Sequence, residues 1–289
     1  MNIITPRPQR AGSVDFVDGR TRLYGILGHP IEQVRSPETV TFELRRRGIN
    51  AILLPLHVKP DDFDAVFPQL LKLENLDGLV VTVPHKGRTR RHLERVGPLA
   101  EFSDGVSVVA RSLDDQWIGE MFDGAGCVSA LLKRGVTLSG KRILLLGAGG
   151  AGAAIAGAIA RQKPAVLHVR EPDATRSADI VAKLRAAFPR TIVSEGLSDL
   201  DAVDVLVNAS PVGMLDETRM PLELDRIPAH IAVMDAIMDP DRTRLLKVAE
   251  ESGCVTVYGR EMLDAQISAV CDFLLHARVT PADDVVIHR

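Results

Sequence analysis

The chain has 289 residues, 46% hydrophobic and 25% charged, with a formal net charge of -3. This is ordinary globular composition, enough for two domains or one large one and for a substantial core without disulfide staples. The near-balanced charge gives no broad attraction to nucleic acid or an anionic membrane, and no apolar run approaches the ~18 residues of a membrane helix.

The first residues, MNIITPRPQRAGSVDFVDGRT, lack the apolar core of a signal peptide and read as a loose arm. RLYGILG is a short apolar strand ending in a Gly/Pro break. SPETVTFELRRRG is a helix with a cap-like Ser36, Pro37 at its first turn, early acidic and late basic residues, and a stop at Gly48. NAILLPLHV is the next strand, and DDFDAVFPQLLKLEN is a helix interrupted near Pro68. DGLVVTVP is a third strand, broken by Pro84, with a helix after it. The basic run KGRTRRH there reads as a solvated face, apart from its first lysine. Alternating strands and helices imply a parallel, doubly wound sheet.

A second unit begins near Val136, after a hinge expected at residues 124–135. KRILLLGAGGAGAAIAGAIARQ is strand, glycine-rich turn and helix. AVLHVREPD, DVLVNAS, IAVMDAI and CVTVYG are further strands, ATRSADIVAKLRAAF and TRLLKVAEESG are helices, and REMLDAQISAVCDFLLHA is a long amphipathic helix. No internal repeat is present. Cys127, Cys254 and Cys271 are odd in number, far apart and free of any CxxC pair. They suggest neither a disulfide framework nor a zinc site, so no metal is expected and a reducing, cytoplasmic setting fits.

Gly147-x-Gly149-x-x-Gly152 follows an apolar strand and opens an Ala-rich helix, the context that gives the motif its meaning. One glycine makes the turn, one lets a pyrophosphate approach backbone N–H groups, and one lets helix and strand pack closely. The helix N-terminus favours phosphate. The whole segment, Gly147, Ala148, Gly149, Gly150, Ala151 and Gly152, is therefore a cofactor-binding candidate. Glu171 stands near the distance of ~20 residues expected for the acid that hydrogen-bonds the adenine ribose. A carboxylate there favours NAD; Arg170 and Arg176 leave NADP open, since an arginine accepts a 2′-phosphate. Ala209, Ser210 and Pro211, in NASPVGM, lie at the carboxyl end of a strand, where α/β ligand crevices form. Met214 and Met262 are expected to line the nicotinamide side, with core packing the near alternative.

Together these segments resemble the shikimate dehydrogenase family, which includes quinate dehydrogenases. GHPI with SP resembles the family's substrate loop, VTVPHK its strand carrying the catalytic lysine, and IGEMFDGAG the segment ending in the catalytic aspartate. GAGGAG, NASPVGM, DPDRTRLL and YGREMLDAQ follow in the family's order. The resemblance implies two doubly wound α/β domains around a cleft: a substrate-binding domain over 1–125, completed by the C-terminal helix at 260–289, and a Rossmann NAD(P)-binding domain over 126–259. It implies Lys86 and Asp123 as catalytic residues, Ser36, Thr82, Ser107 and Gln266 as substrate-binding residues, and Gly259 and Met262 beside the cofactor. A monomer or homodimer is expected.

Several polar positions of the family pattern differ. Its first loop serine is Val34, its strand asparagine is Val80, its second asparagine is Ser107, and its tyrosine after VMDA is Met238. A pocket built to bond a hydroxyl rejects analogues lacking it, and apolar replacements remove that discrimination. A less polar or differently substituted cyclic hydroxy acid is thus expected alongside shikimate and quinate. The family's NADP-reading arginine aligns with Pro172, flanked by Glu171 and Asp173, which again points to NAD. Hydride transfer from an alcohol also needs a proton carrier, and Lys86 oriented by Asp123 is expected to supply one. His85 is expected to pack, facing away from Lys86, and His29 is a weaker substrate-contact candidate. The second reading is a weakly catalytic or non-catalytic dinucleotide sensor.

Overall fold

The computed structural model describes residues 17–196, 199–216 and 218–276. Most of the expected N-terminal arm, and the expected continuation of the last helix beyond His276, lie outside the described residues.

The first half builds a six-stranded sheet. Its strands are β1 (Arg22–Gly28), β2 (Ala51–His57), β3 (Leu76–Val81), β4 (Arg95–Val96), β5 (Val108–Arg111) and β6 (Trp117–Glu120), in the order β2-β1-β3-β5-β6-β4. β1, β2 and β3 are parallel, but β5 runs antiparallel to both β3 and β6. The sheet is therefore mixed, which the doubly wound expectation did not include. The β5–β6 hairpin closes through SLDDQ: Ser112 N–H donates to Gln116 O at 2.8 Å, and Asp115 takes a left-handed φ of 65°. Aspartate is among the residues that tolerate that conformation.

Strand alternation sorts the core. Tyr24, Ile26, Val108 and Ala110 point to one face, covered by α1 (Ser36–Arg46) and the last helix, α9 (Gly259–His276). Leu27, Leu79, Val81 and Val109 point to the other, with Phe63 and Phe67 of α2 (Phe63–Leu70) and Ala100 of α4 (Pro98–Ser103). Both faces are buried, so β1 and β3 read as nearly continuous apolar runs. Two local expectations change. Arg35 is the N-cap of α1 and makes no side-chain cap, so Ser36 is the first helical residue. α2 runs through Pro68, held by the buried, stacked rings of Phe63 and Phe67 at 5.1 Å.

The second half is a wholly parallel sheet of β7 (Arg142–Leu146), β8 (Val166–Arg170), β9 (Ile192–Glu195), β10 (Val205–Asn208), β11 (Ala232–Asp235) and β12 (Thr256–Val257). The order β12-β11-β10-β7-β8-β9 reverses between β7 and β10, where a ligand crevice forms in such sheets. Asp235, Asn208, Leu146 and Arg170 end their strands in register, forming its floor. Its helices are α6 (Gly150–Arg161), α7 (Ala174–Ala187) and α8 (Arg244–Glu251).

Two helices join the halves. The expected hinge at 124–135 is instead α5 (Asp123–Lys133), a continuous helix whose Cys127 and Leu131 belong to the second core while Phe122, just before it, belongs to the first. α9 starts in the second core with Met262 and ends in the first with Val270, Phe273 and Leu274, so it does pack back on the first sheet.

Candidate active site

β3 continues its bonding past its last residue. Thr82 N–H donates to Leu27 O and His29 N–H donates to Val83 O, both at 2.9 Å. His85 N–H then bonds back to Thr82 O at 3.0 Å, and the chain turns into α3 (Lys86–Arg91). Lys86 is thereby set at the carboxyl edge of the first sheet. His85 is fully buried, stacked on Phe63 with Nε2 against Val58 O at 2.7 Å; it packs as expected.

Asp123 opens α5, where free helical N–H groups favour a carboxylate. Lys86 Nζ donates to Asp123 Oδ2, and the two side chains are only 13% and 9% exposed. The pair adjoins the glycine loop. A Cβ on Gly150 would stand 3.3 Å from Lys86 Cβ, and one on Gly124, beside Asp123, would fall 2.4 Å from Ala154 O of α6. Those two glycines let the halves meet closely enough to place the ion pair beside the glycine loop.

Of the other expected substrate residues, Ser36 and Gln266 stand on α1 and α9 themselves. Thr82 follows Val80 by two residues, so both share the side of the sheet that α1 and α9 cover. Ser36 is buried in the first turn of α1. Gln266, on α9, has a buried Oε1 with no hydrogen-bond partner, and a Cβ on Gly126 of α5 would lie 3.0 Å from it. Ser107 is buried, and its Oγ accepts Phe122 N–H at 2.9 Å, so this hydroxyl shapes the segment that presents Asp123. Val34, Val80, Ile31 and Ile267 each pack, partly buried, against the first core. Gln33 was missed by the sequence reading. It is 5% exposed, its Nε2 donates to Pro30 O at 2.8 Å, and its Oε1 is buried without a partner. His29 Nδ1 and His57 Nε2 share a 2.9 Å hydrogen bond at the ends of β1 and β2, so His29 is held by a partner.

The glycine loop fits a dinucleotide. Gly147 has a φ of 91°, and a Cβ on it would lie 2.9 Å from Ser210 N and Cα. A Cβ on Gly152 would strike Gly147 O at 2.2 Å, whereas one on Gly149 would meet nothing within 4 Å. The turn, the close packing and the open approach thus fall on the three motif glycines, with Ala148 and Ala151 between them. Glu171, just past β8, is only 7% exposed; its Oε2 accepts Ala148 N–H at 2.8 Å and its Oε1 accepts Arg176 Nη2 at 3.1 Å. Arg176 also lies 3.6 Å from Asp173, so two carboxylates neutralise it. Gly259 packs against Ile237 O, where a Cβ would come within 2.2 Å. Met262 is 6% exposed in the second core, so its side chain serves packing and offers little surface to a cofactor. No group of three His, Cys, Asp or Glu able to hold a metal occurs among the described residues.

A buried network lies beneath Ala209, Ser210 and Pro211. Asp235 Oδ1 accepts Asn208 Nδ2 at 3.0 Å and Ile237 N–H at 3.1 Å, and its Oδ2 accepts Thr243 Oγ1 at 2.7 Å. The signal for it was a single polar residue ending each of two apolar strands, VLVN and AVMD.

Comparison with known proteins agrees with this geometry. Residues 26–109 match the family described as the shikimate dehydrogenase substrate binding domain. A shikimate dehydrogenase (NADP(+)) of Thermococcus kodakarensis is 36% identical over 86% of this chain and 89% of its own, and one of Rubrobacter xylanophilus is 32% identical over 87% and 89%. The chain belongs to the shikimate dehydrogenase family. Among solved structures, a Listeria monocytogenes shikimate 5-dehydrogenase in complex with shikimate and NAD superposes with a TM-score of 0.79 at 25% identity, covering 91% of this chain and 95% of that one. A 5-ketofructose reductase of Gluconobacter sp. superposes with a TM-score of 0.76 at 27% identity, covering 89% and 94%. As a shikimate dehydrogenase family member, the chain is an oxidoreductase that works with a nicotinamide cofactor. The sensor reading finds no support. No helix among the described residues is long and apolar enough to cross a membrane.

Burial pushes the Asp235 carboxyl of this dehydrogenase up to about 6, against the pull of Thr243, Ile237 and Asn208. An unfolded aspartate titrates near ~3.9. Between the two values the folded chain holds the extra proton, so this group's stabilising contribution is full below ~4 and is lost as pH rises through about 6. In urea unfolding, the stability of Asp235→Asn relative to the parent should therefore rise by roughly 3 kcal/mol between pH 4 and pH 7. A pH-independent difference would contradict a buried, charge-destabilised carboxylate.

Proposed function

We propose that this enzyme interconverts a cyclic hydroxy acid of the shikimate or quinate class and its 3-keto form, with Lys86 moving the proton and Asp123 holding Lys86 in place. The Lys86–Asp123 ion pair at the edge of the glycine loop carries this reading. When bound, the nicotinamide ring supplies or accepts the hydride. In reduction, Lys86 Nζ donates a proton to the carbonyl oxygen as it gains negative charge; in oxidation, Nζ receives the hydroxyl proton. Asp123 fixes the direction of the amine. Gln266 Oε1, a buried acceptor, suits a ring hydroxyl, and Ser36 and Thr82 suit the polar groups around it. Residues 1–125 with α9 form the substrate half in this reading, and 126–259 the dinucleotide half.

The Rubrobacter xylanophilus and Thermococcus kodakarensis relatives are NADP(+) enzymes. We infer that this chain prefers NAD, because a 2′-phosphate beside Glu171 and Asp173 would meet two carboxylates, and Arg176 is already paired with both. Val34 and Val80, apolar where the family pattern is polar, support a substrate with an apolar face where shikimate presents polar groups.

Lys86→Ala should lower turnover at least about 1,000-fold and leave dinucleotide affinity within about twofold. Retained turnover would refute the role of Lys86. In steady-state assays with both cofactors, kcat/KM for NAD should exceed that for NADP, and Glu171→Ala should narrow the ratio about tenfold. A parent that prefers NADP would overturn the cofactor assignment.

A further inference from the structure

We propose that Asp235, which touches neither loop of the dinucleotide crevice, is a positioning residue for the cofactor, acting through Asn208 on Ser210. This rests on the dinucleotide reading of the crevice between β7 and β10.

Asn208 can orient its amide in two ways, and Asp235 selects one. The carboxylate has only acceptors, so it must face Asn208 Nδ2, which it does at 3.0 Å. Asn208 Oδ1 is thereby turned toward the loop, where it accepts Ser210 N–H at 3.0 Å and Ser210 Oγ at 2.7 Å. Ser210 Oγ accepts in turn from Val212 N–H at 3.3 Å. The carboxylate is itself fixed by Thr243, whose hydroxyl also accepts Leu246 N–H as the N-cap of α8. The donations converge on Asp235, from Leu246 through Thr243 on the α8 side and from Val212 through Ser210 and Asn208 on the loop side, and a reversed amide would set two acceptors against each other.

The held loop forms one side of the crevice. Ser210 N and Cα lie against Gly147, and Ala209 Cβ lies 3.6 Å from where a Cβ of Gly152 would stand. The network therefore sets the spacing between the 209–212 loop and the glycine loop, and so the width available to a dinucleotide. A buried carboxylate without a positive partner costs stability, and here burial does raise its pKa. An apolar residue would close this strand end without that cost but could not choose the amide's orientation.

The test is fluorescence titration of the full-length protein with NADH, together with KM for the hydroxy acid that the parent turns over. Asn208→Ala should raise the NADH Kd about tenfold and Ser210→Ala about threefold, while the hydroxy acid KM stays within about twofold. Asp235→Leu should match Asn208→Ala, and Asp235→Asn should recover much of that loss, because its amide oxygen still accepts from Asn208 while its NH2 faces the Thr243 hydroxyl. NADH affinity within twofold of the parent in both Asn208→Ala and Ser210→Ala would overturn the proposal, as would an equal rise in the hydroxy acid KM, which marks general loosening. If Asn208→Ala does not fold, Ser210→Ala decides alone on the same criteria. A parent that binds neither NADH nor NADPH would instead refute the dinucleotide reading itself.

Discussion

The structure turns on one ion pair, Lys86 with Asp123, formed where the two sheets meet and almost shielded from water. Taking two charges out of water is expensive, and their attraction compensates only if geometry and hydrogen bonding are good. Four features supply that geometry. Val106 N–H bonds Lys86 O at 3.1 Å and anchors the lysine backbone. The start of α5 favours the Asp123 carboxylate. Ser107 Oγ holds Phe122 just before it. Gly124 and Gly150 remove the side chains that would keep the halves apart. A pair assembled in this way is a poor stabiliser, and in the proposed function it serves as a fixed proton donor beside the glycine loop.

The same arrangement explains how one family can change substrates without changing chemistry. The catalytic pair and the glycine loop stand on backbone features that tolerate little change. Substrate reading falls to side chains at the α1/α9 end, where Val34 and Val80 merge with the first core and two buried glutamine oxygens, on Gln33 and Gln266, remain as acceptors. In the proposed function, these apolar positions and unpaired acceptors suit a substrate that offers a few hydroxyls and an apolar ring face. That a 5-ketofructose reductase shares the fold fits this division of labour.

Much of this was legible in the residues. The glycine spacing with its flanking strand and helix, the Pro84–Lys86 break and the acid at 171 are local patterns, and local patterns survive folding. What was not legible is long-range. The β5–β6 hairpin closes locally through SLDDQ, but the antiparallel pairing of β5 with β3, which sets Gly78 beside Ala110, joins residues far apart in the chain. The supposed hinge is a helix because α5 is packed against α6 and α9, which composition alone cannot reveal. Met262 was expected on the nicotinamide side, and its burial in the second core depends on packing that its neighbours in sequence do not reveal. Gln33 and Asp235 escaped notice because a buried polar residue has no sequence signature apart from its apolar neighbours.

The claim that Lys86 and Asp123 act as one unit is tested most directly by a double-mutant cycle on kcat with Lys86→Met, Asp123→Asn and the double variant. Residues that act together lose their effect together, so the double variant should be no more than about threefold slower than the slower single variant. Losses that multiply would show two independent contributions and would contradict the account.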